Sequence, residues 1–252
     1  MFDKRWEHEQ TRLKIKSGKK EGIEAAIEAS KTARKHLKDM IIKNPDFRSS
    51  LEPLSLHPDN YPPVIRRMLK ASKIARVGPF AAVAGSISQI ASMAAVKSGA
   101  KNILVDNGGD MAISGDREFK VGIYAGESEA SGKFSFSVEE DDLPIGICTS
   151  SGTVGHSMSF GDADAVVVVD EKASVSDAAA TSIGNEVKGE DVESSIKRGL
   201  DKADDIDRID GCLIIRNGHV GRVGSLPEIF SLPEDSKAYP DDLTREDADL
   251  LE

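Results

Sequence analysis

The chain has 252 residues, 39% hydrophobic and 30% charged, with a net charge of −10 and no dense run of lysine or arginine. That balance disfavours nucleic acid and anionic membrane as partners, and no run of ~18 consecutive apolar residues offers a membrane-spanning helix. Two cysteines, Cys148 and Cys212, cannot build a disulfide framework, and the charged residues 1–20 lack the apolar stretch of a signal peptide, so a cytoplasmic protein with free thiols is expected.

In chain order, residues 7–15 mix His8, Leu13 and Ile15 with charge and read as an opening strand. Residues 22–42 read as a helix: Ile23, Ala26, Ile27, Ala33, Leu37, Met40 and Ile41 fall close to one face, and Asn44-Pro45 ends it. Residues 46–63 carry Pro53, Pro58, Pro62 and Pro63 and read as a loop. His57 there has no companion at metal-ligand spacing and counts as a loop side chain. A second amphipathic helix follows over 63–75. Gly78-Pro79-Phe80 then opens a helix of small residues that closes at Gly99. Its alanines, serines and Gly85 suit close packing, within the chain or across a homodimer. Backbone N–H groups at its start would attract an anion such as phosphate, and Gly78 leaves room for one.

Residues 101–115 read KNILVDNGGDMAISG. The apolar run Ile103-Leu104-Val105 is a buried strand. It breaks at Asp106-Asn107-Gly108-Gly109-Asp110 and resumes at Met111-Ala112-Ile113. Adjacent glycines permit positive φ and let a ligand lie against bare backbone. A tight hairpin needs fewer polar groups than this turn carries. Strands follow at 119–126, 134–140 and 144–150, then a polar turn, Ser151-Gly152-Thr153-Val154-Gly155-His156, and a strand at 165–169. Helices are expected at 174–185 and 192–200, and a hairpin over 211–224 turning at Asn217-Gly218. Residues 231–252 form an acidic, proline-containing tail. Strand clusters alternating with helices imply an α/β or α+β layered fold.

Three stretches could carry chemistry. The first is the Gly-Gly-Asp turn. The second is Cys148-Thr149-Ser150-Ser151-Gly152, a strand end rich in hydroxyls that can hold a phosphate or a ring edge, with His156 beyond it as an acid or base near neutral pH. Cys148 sits in an apolar strand and reads as core. The third is the helix start ASVSDAAATSIGN. There Asp177 and Thr181, four apart, share one face, and a carboxylate with a hydroxyl suits a hard cation such as Mg²⁺.

The order of these pieces resembles the ApbE family of FAD-dependent protein flavin transferases: a small-residue helix, a strand, Gly108-Gly109-Asp110, several strands, a Ser-Gly turn with a nearby histidine, an apolar strand, and a helix opening Asp177-x-x-x-Thr181. More closely it resembles the shorter, signal-less, uncharacterised ApbE-related proteins. The match covers 78–185. The resemblance implies an α+β (α/β layered) fold, with mostly antiparallel sheets packed against helices. It implies a single domain over 1–230, with a helical part at 20–76 and a motif-bearing core at 77–188. It places flavin or FAD against Gly78, Asn107, Gly108, Gly109, Asp110, Thr149, Ser150, Ser151 and Gly152, and Mg²⁺ on Asp177 and Thr181. His156 and Asp110 are the expected catalytic residues. Family members split FAD, release AMP and move the FMN phosphate onto a Ser or Thr of an acceptor protein. Two elements differ: Gly78-Pro79-Phe80 replaces the transferases' Lys-Gly-Tyr, and His156 is followed by Ser157-Met158-Ser159 without an Asp-Pro. A second function therefore stays open, in which the cleft takes another phosphorylated or sulfur-containing ligand, as an accessory factor in sulfur assimilation or homocysteine formation.

Overall fold

The structure, a computed structural model, describes residues 1–126, 128, 131–151 and 161–231. It begins with a hairpin of β1 (Phe2–His8) and β2 (Thr11–Ser17). The expected strand at 7–15 is thus corrected to the inner half of a hairpin, whose turn takes Glu9 to φ 54°. Only β2 alternates buried with exposed residues, whereas β1 is open on both faces, so periodicity revealed half of the pair. Next come α1 (Lys20–Lys43), the one-turn α2 (Asp46–Ser49), α3 (Pro63–Ala75) and, after a 3-10 turn at Pro79–Ala82, α4 (Val83–Lys97). The expected loop at 46–63 holds α2 because Phe47 plunges into the core with no exposed surface.

The chain continues through β3 (Ile103–Asp106), β4 (Met111–Ser114), β5 (Phe119–Ile123), β6 (Phe134–Val138), β7 (Ile145–Ser150) and β8 (Ala165–Asp170). It closes with α5 (Ala173–Gly184), α6 (Val192–Asp204), the hairpin β9 (Gly211–Arg216) and β10 (His219–Gly224), and β11 (Glu228–Ser231). Among the described residues β1-β2-β3-β4-β7-β8-β9-β10 make one antiparallel sheet, and β11-β6-β5 a second.

The large sheet is the middle of three layers. Its period-2 pleat sends alternate residues to opposite faces. Val166, Val168, Cys212 and Ile214 join the helical core with Ile65, Met68, Ala91 and Ile183. Val167, Val169, Leu213 and Ile215 join a second core with Phe119, Val121, Phe136 and Val138 of the small sheet. This explains why 165–170 reads as an unbroken apolar run. The stretch Pro79–Lys97 is long and apolar enough to cross a membrane by composition, and half of it is buried. In this fold it lies between α1 and α5, against β3 and β4.

Candidate functional site

Strand register assembles the site. Met111 pairs with Ile147 and Ala112 with Gly146, so one step further Asp110 stands opposite Cys148. Ala112, Cys148 and Ala173 pack as one small cluster. A Cβ on Gly146 would collide with Ala173, and one on Gly85 with the Ala173 carbonyl and the Asp177 side chain. Bare glycines on β7 and α4 therefore let the start of α5 sink between them. Asp177, one turn past Ala173 on the same face, is carried to the Asp110 side of the sheet. Its Oδ2 accepts the Gly85 N–H at 2.8 Å, and the Ala84 N–H also points to it.

The Gly-Gly-Asp turn is fastened from both ends. The Asp106 carboxylate accepts the Gly109 N–H at 2.8 Å, and the Asn107 N–H donates to the Asp110 carbonyl at 3.2 Å. The Asn107 amide donates to the Ala84 carbonyl at 3.2 Å, tying the turn to the start of α4. Gly108 and Gly109 lie at φ 70° and 99°, where other residues are strained. Among the described residues nothing stands within 4 Å of where a Gly108 side chain would begin, and beside Gly109 the nearest atom is the Thr149 Cβ at 3.9 Å. The turn thus presents open backbone.

Beneath it the electrostatics are unresolved. Burial, then the charge of Asp177, pushes the Asp110 carboxyl well up, against hydrogen bonds from Cys148 and the Thr149 N–H. Asp110 Oδ1 is buried with no hydrogen-bond partner among the described residues. Burial also raises Asp177, although two backbone N–H groups lower it. Cys148 is fully buried, and desolvation and the two carboxylates push its thiol well up. It is therefore a neutral hydrogen-bonding thiol and not a nucleophile. Two neighbouring half-buried carboxylates, one with a buried oxygen lacking a partner among the described residues, call for a proton or a cation.

A family model described as AbpE bacteria matches residues 3–210. The UPF0280 protein of Methanococcus aeolicus is 40% identical over 227 residues, covering 89% of this chain and 91% of that protein. The UPF0280 protein of Methanothermobacter thermautotrophicus is 43% identical over 211 residues, covering 83% and 80%. This chain belongs to the ApbE-related UPF0280 family. Its fold is that of the flavin transferase ApbE from Vibrio cholerae, with a TM-score of 0.53, 10% identity, and coverage of 89% of this chain and 96% of that one. A point mutant of the same transferase gives 0.55 at 12% identity, covering 89% and 97%.

In this UPF0280 protein the structure gathers Asn107, Gly108, Gly109, Asp110, Thr149 and Asp177 around one spot. Thr181 follows Asp177 by one turn of α5 and is half-buried. Ser150 lies on the helix-facing side of β7, two residues past Cys148, its buried hydroxyl without a partner among the described residues. Ser151 ends that strand, half-buried. Gly152 and His156 lie outside the described residues. Gly78 is a correction. The Ser50 carbonyl and the Leu51 backbone fill the space beside it, so its lack of a side chain admits the chain and not an anion. The start of α4 likewise already holds an anion of its own, Asp177. Sequence reasoning missed Asp106 as the lock on the turn, Gly85 and Gly146 as the seat of Ala173, and Cys148 as a neighbour of both carboxylates. Asp106 was recoverable, since Asp three residues before a glycine N–H is a turn signal. The others needed the pairing of β4 with β7.

Proposed function

We propose that this chain is a Mg²⁺-dependent, FAD-using enzyme of ApbE type that moves FMN onto a Ser or Thr of an acceptor protein. The observation that carries this reading is the half-buried Asp110–Asp177 pair beside the open Gly108-Gly109 backbone, with the buried Asp110 Oδ1 lacking a partner among the described residues. The chemistry of the donors fits the implied ion: carboxylates and a hydroxyl are hard oxygen ligands. Asp110, Asp177 and Thr181 would hold it, and when bound it would supply charge stabilisation to a transferring phosphoryl group.

The chain's own residues supply the rest. Gly108 and Gly109 let a flat or phosphorylated ligand approach the backbone closely. Asn107 and Asp106 hold that turn in place before any ligand arrives, which lowers the ordering cost of binding. The Gly85 and Ala84 N–H groups fix the Asp177 carboxylate. The fold likeness to flavin transferases supports the same reading.

One observation favours a second reading. At the position of the transferases' Lys-Gly-Tyr, Gly78 is packed against Ser50–Leu51 and offers no ligand group of its own. In that reading the cleft takes another phosphorylated or sulfur-containing ligand. Calorimetric titration of the metal-free protein with FAD, with and without Mg²⁺, separates the two. FAD binding that tightens with Mg²⁺ and is lost in Asp177→Ala is the expected result. Absence of FAD binding under both conditions would leave the second reading.

A further inference from the structure

We propose that Cys148 is a positioning residue for Asp110: its thiol bridges the Asp110 carboxylate to the start of α5 and so aims the idle Oδ1 at the space it shares with Asp177. The inference rests on the cation reading of this site and names a part of it that the donor set alone does not.

The argument is geometric. Asp110 lies just before β4, in a turn whose backbone is held by Asp106 and Asn107, and its side chain is fixed by groups outside that turn. Among the described residues, the Thr149 N–H and the Cys148 thiol are the groups that face the carboxylate from β7. The thiol is placed by register opposite Asp110 and is completely buried. It donates to the Ala173 carbonyl at 3.2 Å, sits opposite the Asp110 carboxylate, and accepts from the Met111 N–H. One side chain therefore touches the Gly-Gly-Asp turn, β4 and the first residue of α5, the element that carries Asp177. It packs with two small neighbours, Ala112 and Ala173. A thiol meets both demands, because it buries like a small apolar group and still donates a weak hydrogen bond.

The test is titration of the metal-free full-length protein with Mg²⁺ and, separately, with Co²⁺. It compares wild type with Cys148→Ser, which keeps a donor, and Cys148→Ala, which removes it. If Cys148→Ala does not fold, Cys148→Val takes its place, filling the site without a donor. The expected result is near-wild-type affinity in Cys148→Ser and a loss of about tenfold or more in the donor-less variant, the range seen when an outer-shell partner is removed. Equal affinity in all variants would overturn the proposal and leave the thiol as packing. A sulfur-to-cobalt charge-transfer band in the wild-type protein would overturn it too, since the sulfur would then be a ligand. If wild type binds neither ion, the cation reading itself falls and takes this inference with it.

Discussion

Two acids, one buried and one half-buried, flank the start of α5, and they have opposite surroundings. Asp170, at the end of β8, is 5% exposed, and burial pushes its carboxyl up to about 6. Its charge is nonetheless answered locally: the Lys172 N–H donates to it at 2.7 Å, and the cations of Lys172 and Arg208 lower it against the push of Asp210. Asp177, seven residues on, has the two N–H groups of α4 but faces a second raised carboxylate, Asp110, with an oxygen that no described residue satisfies. A raised carboxyl is thus no site by itself. What separates the two is whether neighbouring groups complete the charge or leave that to something brought from outside.

The largest expected effect breaks the unanswered pair. Asp177→Asn should reduce Mg²⁺ affinity by on the order of 100-fold, about 3 kcal/mol, by removing one of two charged ligands. The metal-free protein should respond in the other direction. Asp177 is raised in the folded state, so the folded chain holds protons that the unfolded chain releases. Stability is then full below the unfolded carboxyl range near 4 and falls as pH rises through the raised folded value. Asn has no charge to suppress, so the variant should melt higher than wild type at pH 8 and equal to it near pH 4. Parallel melting curves across that range would refute the strain assigned to the pair.

A smaller effect comes from moving the pair apart without touching its charges. Gly85→Ala places a methyl against the Ala173 carbonyl and the Asp177 Cβ. Overpacking of this kind costs about 1–3 kcal/mol, read as a lower denaturant midpoint. Cation affinity should fall with it, because α5 must shift to admit the methyl. Lowered stability with unchanged affinity would show that the seat of α5 does not govern the site.

How much of this was legible in the sequence follows from the range of each signal. The helix at 63–75, the turn at Asn217-Gly218 and the Gly-Gly-Asp turn are local patterns, and each stands where its residues predict. The three-layer burial left its mark as the unbroken apolar run 165–169. β1 left none, because an edge strand open on both faces has no alternation to read. The site itself was half legible. Asp110 and Asp177 were marked by their motifs, but their adjacency depends on the β4–β7 register and on two glycines, Gly85 and Gly146, that a helix and a strand would not otherwise favour. Gly78 shows the opposite error: a glycine read as room for a ligand is room for the chain's own backbone.

The smallest expected effect tests the answered acid. Asp170→Asn keeps an oxygen for the Lys172 N–H and removes the charge that burial penalises. A carboxyl raised from 3.8 to about 6 forfeits up to about 3 kcal/mol above that pH. That value already includes the attraction of Lys172 and Arg208 and the Lys172 bond, and with solvent screening at the strand end the net gain at pH 7 should be about 1–2 kcal/mol. The gain should shrink as pH falls from 6 and vanish below the unfolded value of 3.8, where the wild-type carboxyl becomes neutral in both states. FAD and Mg²⁺ titrations should be unaffected, since Asp170 touches none of the residues that hold the Gly-Gly-Asp turn. A stability gain with intact binding would leave the two acids as different in function as they are in surroundings. A loss of binding would extend the site across the start of α5 and erase the distinction.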